Sequence, residues 1–163
     1  MLIFQSVFFY EKYHIEKNNE FIVFHKSRNS IVGNRIGASL KVYHNMDTLI
    51  HNQNVLKNYK VGENIKDLKY EKIPNFLQIN NQVVLFIDTN GNYNIKGLQK
   101  PILVLRQSPK VNLERLIKML NPRMIIADGS NYKSYVSLWK ASCLELHTSF
   151  WSTGEKGAYV LNN

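Results

Sequence analysis

The sequence predicts a mixed α/β (α+β) domain with a strand-rich first half followed by alternating strands and helices. The C-terminal stretch, residues 122–161, has the pattern strand, helix, strand, turn and strand. Before it, short apolar runs are separated by asparagine and glycine turns, as in antiparallel sheets. The chain has 163 residues, 44% of them hydrophobic and 12% aromatic, which suits one domain with a proper core.

The formal net charge of the chain is +9, and its basic residues are spread along the sequence without forming an arm or a tail. Such an excess favours polyanions or an anionic membrane surface as partners. Lysine and asparagine also accumulate together for compositional reasons. The net charge alone therefore does not distinguish a functional basic surface from an ordinary solvated surface.

Three short strands are predicted near the N-terminus. Apolar runs bounded by polar residues place them at residues 21–24, 31–32 and 40–44, with a turn at 33–37. Residues 47–59 are predicted to form a helix capped by Asp47, although its asparagines are poor helix formers. Residues 62–74 are rich in lysine and are predicted to be a connector.

Further strands and one helix follow this connector. The strands are predicted at residues 76–79, 83–87, 93–95 and 102–105. Asn80-Asn81 and Asn90-Gly91 are the hairpin turns, and Asn-Gly is the stronger signal. Ser108-Pro109 is predicted to open a helix that Asn121-Pro122 ends. The apolar face of this helix contains Leu113, Leu116, Ile117 and Leu120.

The C-terminal unit begins with a buried strand at residues 124–127. Residues 128–131 are predicted to supply a turn and then a helix N-cap, because Gly tolerates positive φ and Ser or Asn oxygens accept free helix N–H groups. Strands are predicted at residues 147–151 and 158–161, with a turn at 154–157. The helix before them has an apolar face of Val136, Trp139, Cys143 and Leu146.

The sequence contains no local motif for metal, nucleotide or nucleophilic chemistry. No two of its five histidines lie within four positions of each other. Cys143 is interpreted as a small buried hydrophobe, and a single cysteine permits neither an internal disulfide nor a Cys-based zinc site. Asp88 and Asp128 each follow an apolar strand and could project at one sheet edge. Paired carboxylates can serve acid–base or metal chemistry, whereas aspartate at a strand end is also a common turn former.

The N-terminal segment, residues 1–17, is apolar at first and then charged. Residues 2–10 are too few to span a membrane and lack the basic region and cleavage site of a signal peptide. Two interpretations stay open for this segment: an amphipathic element packed on the domain, or the trailing end of a membrane helix. The domain itself is predicted to occupy residues 18–163.

The order of elements and several stretches resemble a known domain. The stretches are residues 21–31, 80–88 (NNQVVLFID), 104–113, 122–131 and 155–158. On these residues the sequence resembles the metallo-β-lactamase-like C-terminal domain of ComEC, the inner-membrane channel protein of natural DNA uptake, and most of all its reduced Bacteroidota form. The resemblance implies a reduced metallo-β-lactamase-like fold over residues 18–163.

The sequence departs from that family's pattern at the metal ligands. The His-x-His-x-Asp-His ligand loop of the family is absent, and its later histidine sites fall on Arg106-Gln107-Ser108 and near Tyr132-Lys133-Ser134. Of the usual ligands only Asp88 remains, and one carboxylate cannot hold a dinuclear metal site. The resemblance therefore implies a degenerate, non-catalytic domain without a cofactor. Asp88 and Asp128 would mark positions of the former site.

Hypotheses from different functional classes follow. The first is an accessory domain attached to the membrane channel portion of a ComEC-like protein at the inner membrane. It would contact single-stranded DNA by salt-sensitive phosphate contacts from Arg28, Arg106, Lys110 and Lys133. The alternative is a divergent metal-dependent hydrolase or nuclease with rearranged ligands drawn from Asp88, Asp128 and a histidine. A structural module that closes or dimerises the channel is a third interpretation.

Overall fold

A five-stranded mixed sheet forms one half of the protein. The computed structural model describes residues 18–47, 50–90, 98 and 100–162. In sheet order, the strands of this first sheet are β10 (Tyr159–Asn162), β1 (Asn19–Phe24), β2 (Ile31–Ile36), β3 (Ser39–His44) and β4 (Asp67–Lys72). All neighbours are antiparallel except β3 and β4, which are joined through a short 3-10 helix (Ile50–Asn52) and helix α1 (Asn54–Gly62).

A second five-stranded sheet forms the other half. Its strands, in order, are β5 (Phe76–Ile79), β6 (Gln82–Ile87), β7 (Ile102–Leu105), β8 (Met124–Ala127) and β9 (Phe150–Ser152). Strands β6 to β9 are parallel, and β5 pairs antiparallel with β6. The helices of this half are α2 (Leu113–Leu120), α3 (Lys133–Glu145) and the short α4 (Thr153–Lys156).

The two sheets pack face to face, and helices cover their outer faces. Because side chains alternate along a strand, Val104 of β7 points into the core between the sheets, and Leu103 and Leu105 pack against α2 and α3. On the first sheet, Ile22 and Phe24 pack on the side of α1. The fold is therefore a four-layer helix–sheet–sheet–helix arrangement, and burial on both faces explains the continuous apolar runs of the central strands.

The predicted mixed α/β class is confirmed, but in the first half of the chain the turn predicted at residues 33–37 and the connector predicted at residues 62–74 are wrong. Strand β2 continues through residue 33 to Ile36, and the chain reverses at Gly37, whose φ of 58° lies in the left-handed region. The connector predicted at residues 62–74 contains strand β4. Leu68 and Tyr70 of β4 pack inward, whereas its charged residues protect an exposed sheet edge. Those charges concealed the alternation in the sequence.

The helices are confirmed with shifted N-termini. The helix predicted at residues 47–59 is α1, which starts at Asn54 after the separate 3-10 turn. Helix α2 starts at Leu113 and not after Ser108-Pro109, because the Asn112 side chain accepts a hydrogen bond from the Arg115 N–H at 2.9 Å. The residues before it form an irregular loop.

The C-terminal unit is confirmed in type and corrected in detail. Residues 128–131 form the turn but do not cap α3, whose N-cap is Tyr132 without a side-chain cap bond. Strand β9 is limited to Phe150–Ser152, and the turn predicted at 154–157 is the short helix α4 followed by Gly157. The last strand, predicted at 158–161, leaves this unit and pairs with β1 of the first sheet.

Three sequence predictions lie wholly or partly outside the described residues: the turn at Asn90-Gly91, the strand at 93–95 and the N-terminal segment 1–17. Across residues 18–47, 50–90, 98 and 100–162, no helix combines the length and the apolar character needed to cross a bilayer.

Candidate functional site

Loops from both sheets meet at one open end of the sandwich and enclose a polar cleft. Because β6 to β9 are parallel, the loops after their C-terminal ends lie along one edge, where α/β folds commonly bind ligands. The loop between β1 and β2 faces them, since the Arg28 N–H donates to the Gly129 carbonyl at 2.8 Å. The cleft has a volume of about 1150 Å³, and its lining includes His25, Arg28, Ser108, Asn131, Tyr132 and Lys133.

Asp128 is the buried centre of the polar loops beside this cleft. Its side chain follows β8 and is 3% exposed. One carboxylate oxygen, Oδ1, accepts from the Ser130 N–H at 2.9 Å, the Ser130 hydroxyl at 2.5 Å and the Asn131 amide at 3.1 Å. The other oxygen, Oδ2, is buried without a hydrogen-bond partner among the described residues. Asp128 therefore borders the cleft as a buried residue that organises the turn, and its carboxylate is not an exposed acid.

The loop after β7 is held to this turn by side-chain hydrogen bonds. The Gln107 N–H donates to Ser130 Oγ at 2.7 Å, and the Ser108 N–H donates to Asn131 Oδ1 at 2.8 Å. Ser108 Oγ in turn accepts from the Tyr132 N–H at 2.8 Å. Gln107 and Ser108 have φ values of 60° and 52°, a conformation that is costly for residues other than glycine. The network offsets this cost and fixes the start of α3 against the β7 loop.

Burial raises the pKa of the Asp128 carboxyl above its ordinary value, and hydrogen bonds from Ser130 and Ser30 and the charge of Arg106 oppose the rise. The folded protein therefore binds this proton more tightly than the unfolded chain does. As pH rises from the unfolded-state pKa to the higher folded-state pKa, ionisation of Asp128 increasingly disfavours the folded state.

Asp128→Asn should consequently gain stability relative to wild type as pH rises. The neutral amide keeps an acceptor oxygen for Ser130 and removes the buried charge. Thermal unfolding between about pH 4 and pH 8 measures the effect as the Tm of the variant minus that of wild type. Asp67→Asn, at an exposed aspartate of β4, controls for the loss of one negative charge. A Tm difference that stays flat or falls with pH contradicts the expectation.

Arg106 and Asp88 form an ion pair at the ends of β7 and β6. Arg106 Nη2 donates to Asp88 Oδ2 at 2.8 Å, and the side chains are 11% and 20% exposed. Arg106 also borders a second, smaller cleft of about 460 Å³, which His44, Tyr70 and Lys72 help to line. Its guanidinium is therefore engaged internally, although the sequence suggested it as a contact for DNA.

The structure brings together two of the four predicted DNA-contacting residues. Arg28, from the β1–β2 loop, and Lys133, the first residue of α3, are exposed and line the same polar cleft. Within the described part of the chain, neither forms an ion pair. Arg106 is paired with Asp88, and Lys110 is exposed but is not among the residues that line either described cleft.

Sequence reasoning missed Tyr132 and the contact between His25 and Thr153. The Tyr132 side chain is 71% exposed beside the cleft, and an aromatic residue directly before a helix start was the available signal. His25 Nδ1 lies 3.2 Å from Thr153 Oγ1 and joins the β1–β2 loop to the start of α4. The contact between His25 and Thr153 joins residues 128 positions apart, so the local sequence could not indicate it.

The residues at the sheet edge do not fit the metal centre that intact members of the resembled family hold. The Asp88 carboxylate is held by Arg106, and the Asp128 carboxylate receives three hydrogen bonds on one oxygen and is sealed from solvent at the other. In the part of the chain that the structure describes, no group of three His, Cys, Asp or Glu residues could hold a metal ion.

Comparison with protein families matches residues 21–163 to the ComEC C-terminal domain. Comparisons with curated proteins and with solved structures gave no significant match. The family supports a role in competence and DNA uptake and implies that such a domain is part of a larger ComEC-like membrane protein. Because the match covers nearly all of the chain, the protein belongs to the ComEC C-terminal domain family.

Proposed function

We propose that this domain is a non-catalytic part of a ComEC-like DNA-uptake protein and that its polar cleft contacts single-stranded DNA. The observation that carries the proposal is the placement of two exposed cations, Arg28 and Lys133, and one exposed aromatic ring, Tyr132, around one cleft. Proteins that bind single strands without sequence preference combine cations that follow the phosphates with aromatic rings on which bases stack.

The two cations suit a phosphate backbone because they come from opposite walls. Arg28 extends from the first sheet and Lys133 from the second, so a chain of phosphates lying in the cleft could contact both. Lys133 is also the first residue of α3, where the helix dipole favours negative charge. The +9 net charge of the chain adds long-range attraction for a polyanion.

Tyr132 favours single strands over duplex DNA. A base can stack on an exposed ring only when its face is free, and in a duplex both faces are covered by neighbouring bases. Tyr132 precedes Lys133 directly, so one nucleotide could place its base on the ring while its phosphate meets the ammonium group. This arrangement recognises no base sequence.

Engagement of the acidic groups supports a non-catalytic role. Asp88 is neutralised by Arg106, and Asp128 is enclosed by its own turn. Cys143 is fully buried, and burial raises the pKa of its thiol to about 11, which disfavours a nucleophilic thiolate. We further propose that the domain is attached to the channel portion of the protein at the inner membrane.

Arg28→Ala and Lys133→Ala should each weaken binding of a labelled oligothymidine about fivefold and reduce the slope of log affinity against log salt by about 1. Tyr132→Ala should weaken binding about tenfold and leave that slope unchanged, because stacking releases no counterions. Fluorescence anisotropy at about 50 mM salt and above measures both quantities.

Lys118→Ala removes an exposed lysine of α2 and provides the matched control, which should bind like wild type. Duplex DNA of equal length should bind less tightly to wild type than the single strand. Absence of single-strand binding at low salt, or equal effects of Lys118→Ala and Lys133→Ala, would refute the proposed role of the cleft.

A further inference from the structure

We infer that Arg106 is a built-in cation that neutralises Asp88 and Asp128 together at the edge of the second sheet. The inference concerns the charge balance at the sheet edge and does not depend on DNA binding. It rests on the register of three adjacent strands, on one short ion pair and on two buried polar atoms left without partners.

The strand register places the three charges in one row. Ile87, Leu105 and Ala127 are aligned partners on the parallel strands β6, β7 and β8. The residues that follow them directly are Asp88, Arg106 and Asp128. Neighbouring strands lie about 5 Å apart, so a positive side chain stands between two negative ones across the sheet edge.

One ion pair and two buried polar atoms fit this arrangement. On one side, Arg106 Nη2 donates to Asp88 Oδ2 at 2.8 Å. On the other, Asp128 Oδ2 is a buried acceptor and Arg106 Nε is a buried donor, each without a partner among the described residues. The positive charge of Arg106 also lowers the pKa of Asp128 against the effect of burial. The guanidinium thus compensates two acids although it bonds directly to only one.

A resident guanidinium has a chemical consequence for metals. Two carboxylates at a sheet edge would attract a divalent cation, but a cation between them repels a second one and occupies the Asp88 oxygen that would ligate it. Arg106 is therefore a positioning residue that keeps the ends of β6, β7 and β8 together.

Chemical rescue tests the inference. Arg106→Ala should lower Tm by about 5 °C or more, because the partly buried Asp88 and the fully buried Asp128 lose their counter-charge. Adding about 50 mM guanidinium chloride should recover part of that loss by refilling the vacated place, although the same salt slightly lowers the Tm of wild type. Equal sodium chloride should not rescue the variant, since it provides only general screening.

Two further variants complete the experiment. Arg115→Ala, at an exposed position of α2, should show neither the loss nor the rescue. Arg106→Lys keeps the positive charge without the planar guanidinium, so this variant should fold and its Tm should fall less than that of Arg106→Ala. The lysine variant also keeps the test possible if the alanine variant does not fold. The inference is overturned if Arg106→Ala melts like wild type, if guanidinium and sodium act alike on it, or if Arg106→Lys is as unstable as an unfolded alanine variant.

Discussion

Replacing Gly129 by alanine is expected to disturb the polar cleft more than any change of a charged residue in it. A Cβ atom at this position would lie 2.4 Å from the Lys26 carbonyl oxygen and 2.8 Å from its carbon. Such contacts are far inside van der Waals distance, and both partners are backbone atoms that cannot rotate away. The β1–β2 loop must therefore move, and the hydrogen bond from the Arg28 N–H to the Gly129 carbonyl must break.

The expected loss of unfolding free energy is about 3 kcal/mol, at the upper end of the range for overpacked sites. Single-strand binding should also be lost, because Arg28 leaves its wall of the cleft. Differential scanning fluorimetry and anisotropy on the same protein measure the two effects. Gly62→Ala is the matched control, since a Cβ at that helical glycine would meet nothing within 4 Å. Wild-type stability and binding in Gly129→Ala would show that the loop contact is not required.

Arg35→Ala is expected to cost about 3 kcal/mol of unfolding free energy, because removing one partner of a buried ion pair leaves the other uncompensated. The Arg35 side chain is 1% exposed. It donates to Glu63 Oε2 at 2.6 Å and to the Gly37 carbonyl at 2.8 Å, and it lies 3.7 Å from Glu20 Oε1. These bonds tie α1 to the first sheet. The Glu63 side chain is 41% exposed, so water can solvate its carboxylate in the variant. The expected cost therefore lies at the lower end of the range for breaking a buried ion pair.

Urea unfolding measures this loss, which should appear as a lower midpoint with little change in slope. Tyr59 donates to Glu20 Oε2 at 2.7 Å, so Tyr59→Phe should lower the midpoint in the same direction by a smaller amount. Lys41→Ala removes an exposed pair with Glu71 and should leave the midpoint unchanged. Equal midpoints for Arg35→Ala and Lys41→Ala would contradict the role given to the buried network.

Local patterns predicted most of the second sheet correctly. The runs that became β6, β7 and β8 are apolar on both faces, and this signal depends only on adjacent residues. By contrast, β4 is an edge strand whose charged residues mask its alternation, and β10 pairs with β1 from the far end of the chain. Burial at an edge and pairing over such a distance are decided by tertiary packing, which no local pattern reports.

The candidate site was predictable only in part for the same reason. The sequence placed Asp88 and Asp128 at strand ends and proposed one sheet edge for both, which the aligned register of β6 to β8 agrees with. It could not show that Arg106 stands between them, because that position depends on which strands become neighbours. The grouping of Arg28 with Lys133 required the two sheets to meet, and their selection as DNA contacts stays a prediction.

One mixture tests the central claim most directly: wild-type protein, a labelled single-stranded oligonucleotide and manganese or zinc ions, followed by anisotropy and by gel electrophoresis. A non-catalytic cleft with free cations predicts binding that weakens steeply as salt rises, with the oligonucleotide left at full length whether or not metal is added. No binding at low salt would contradict the DNA contact. Metal-dependent shortening of the oligonucleotide would contradict the non-catalytic role and establish a hydrolase with rearranged ligands.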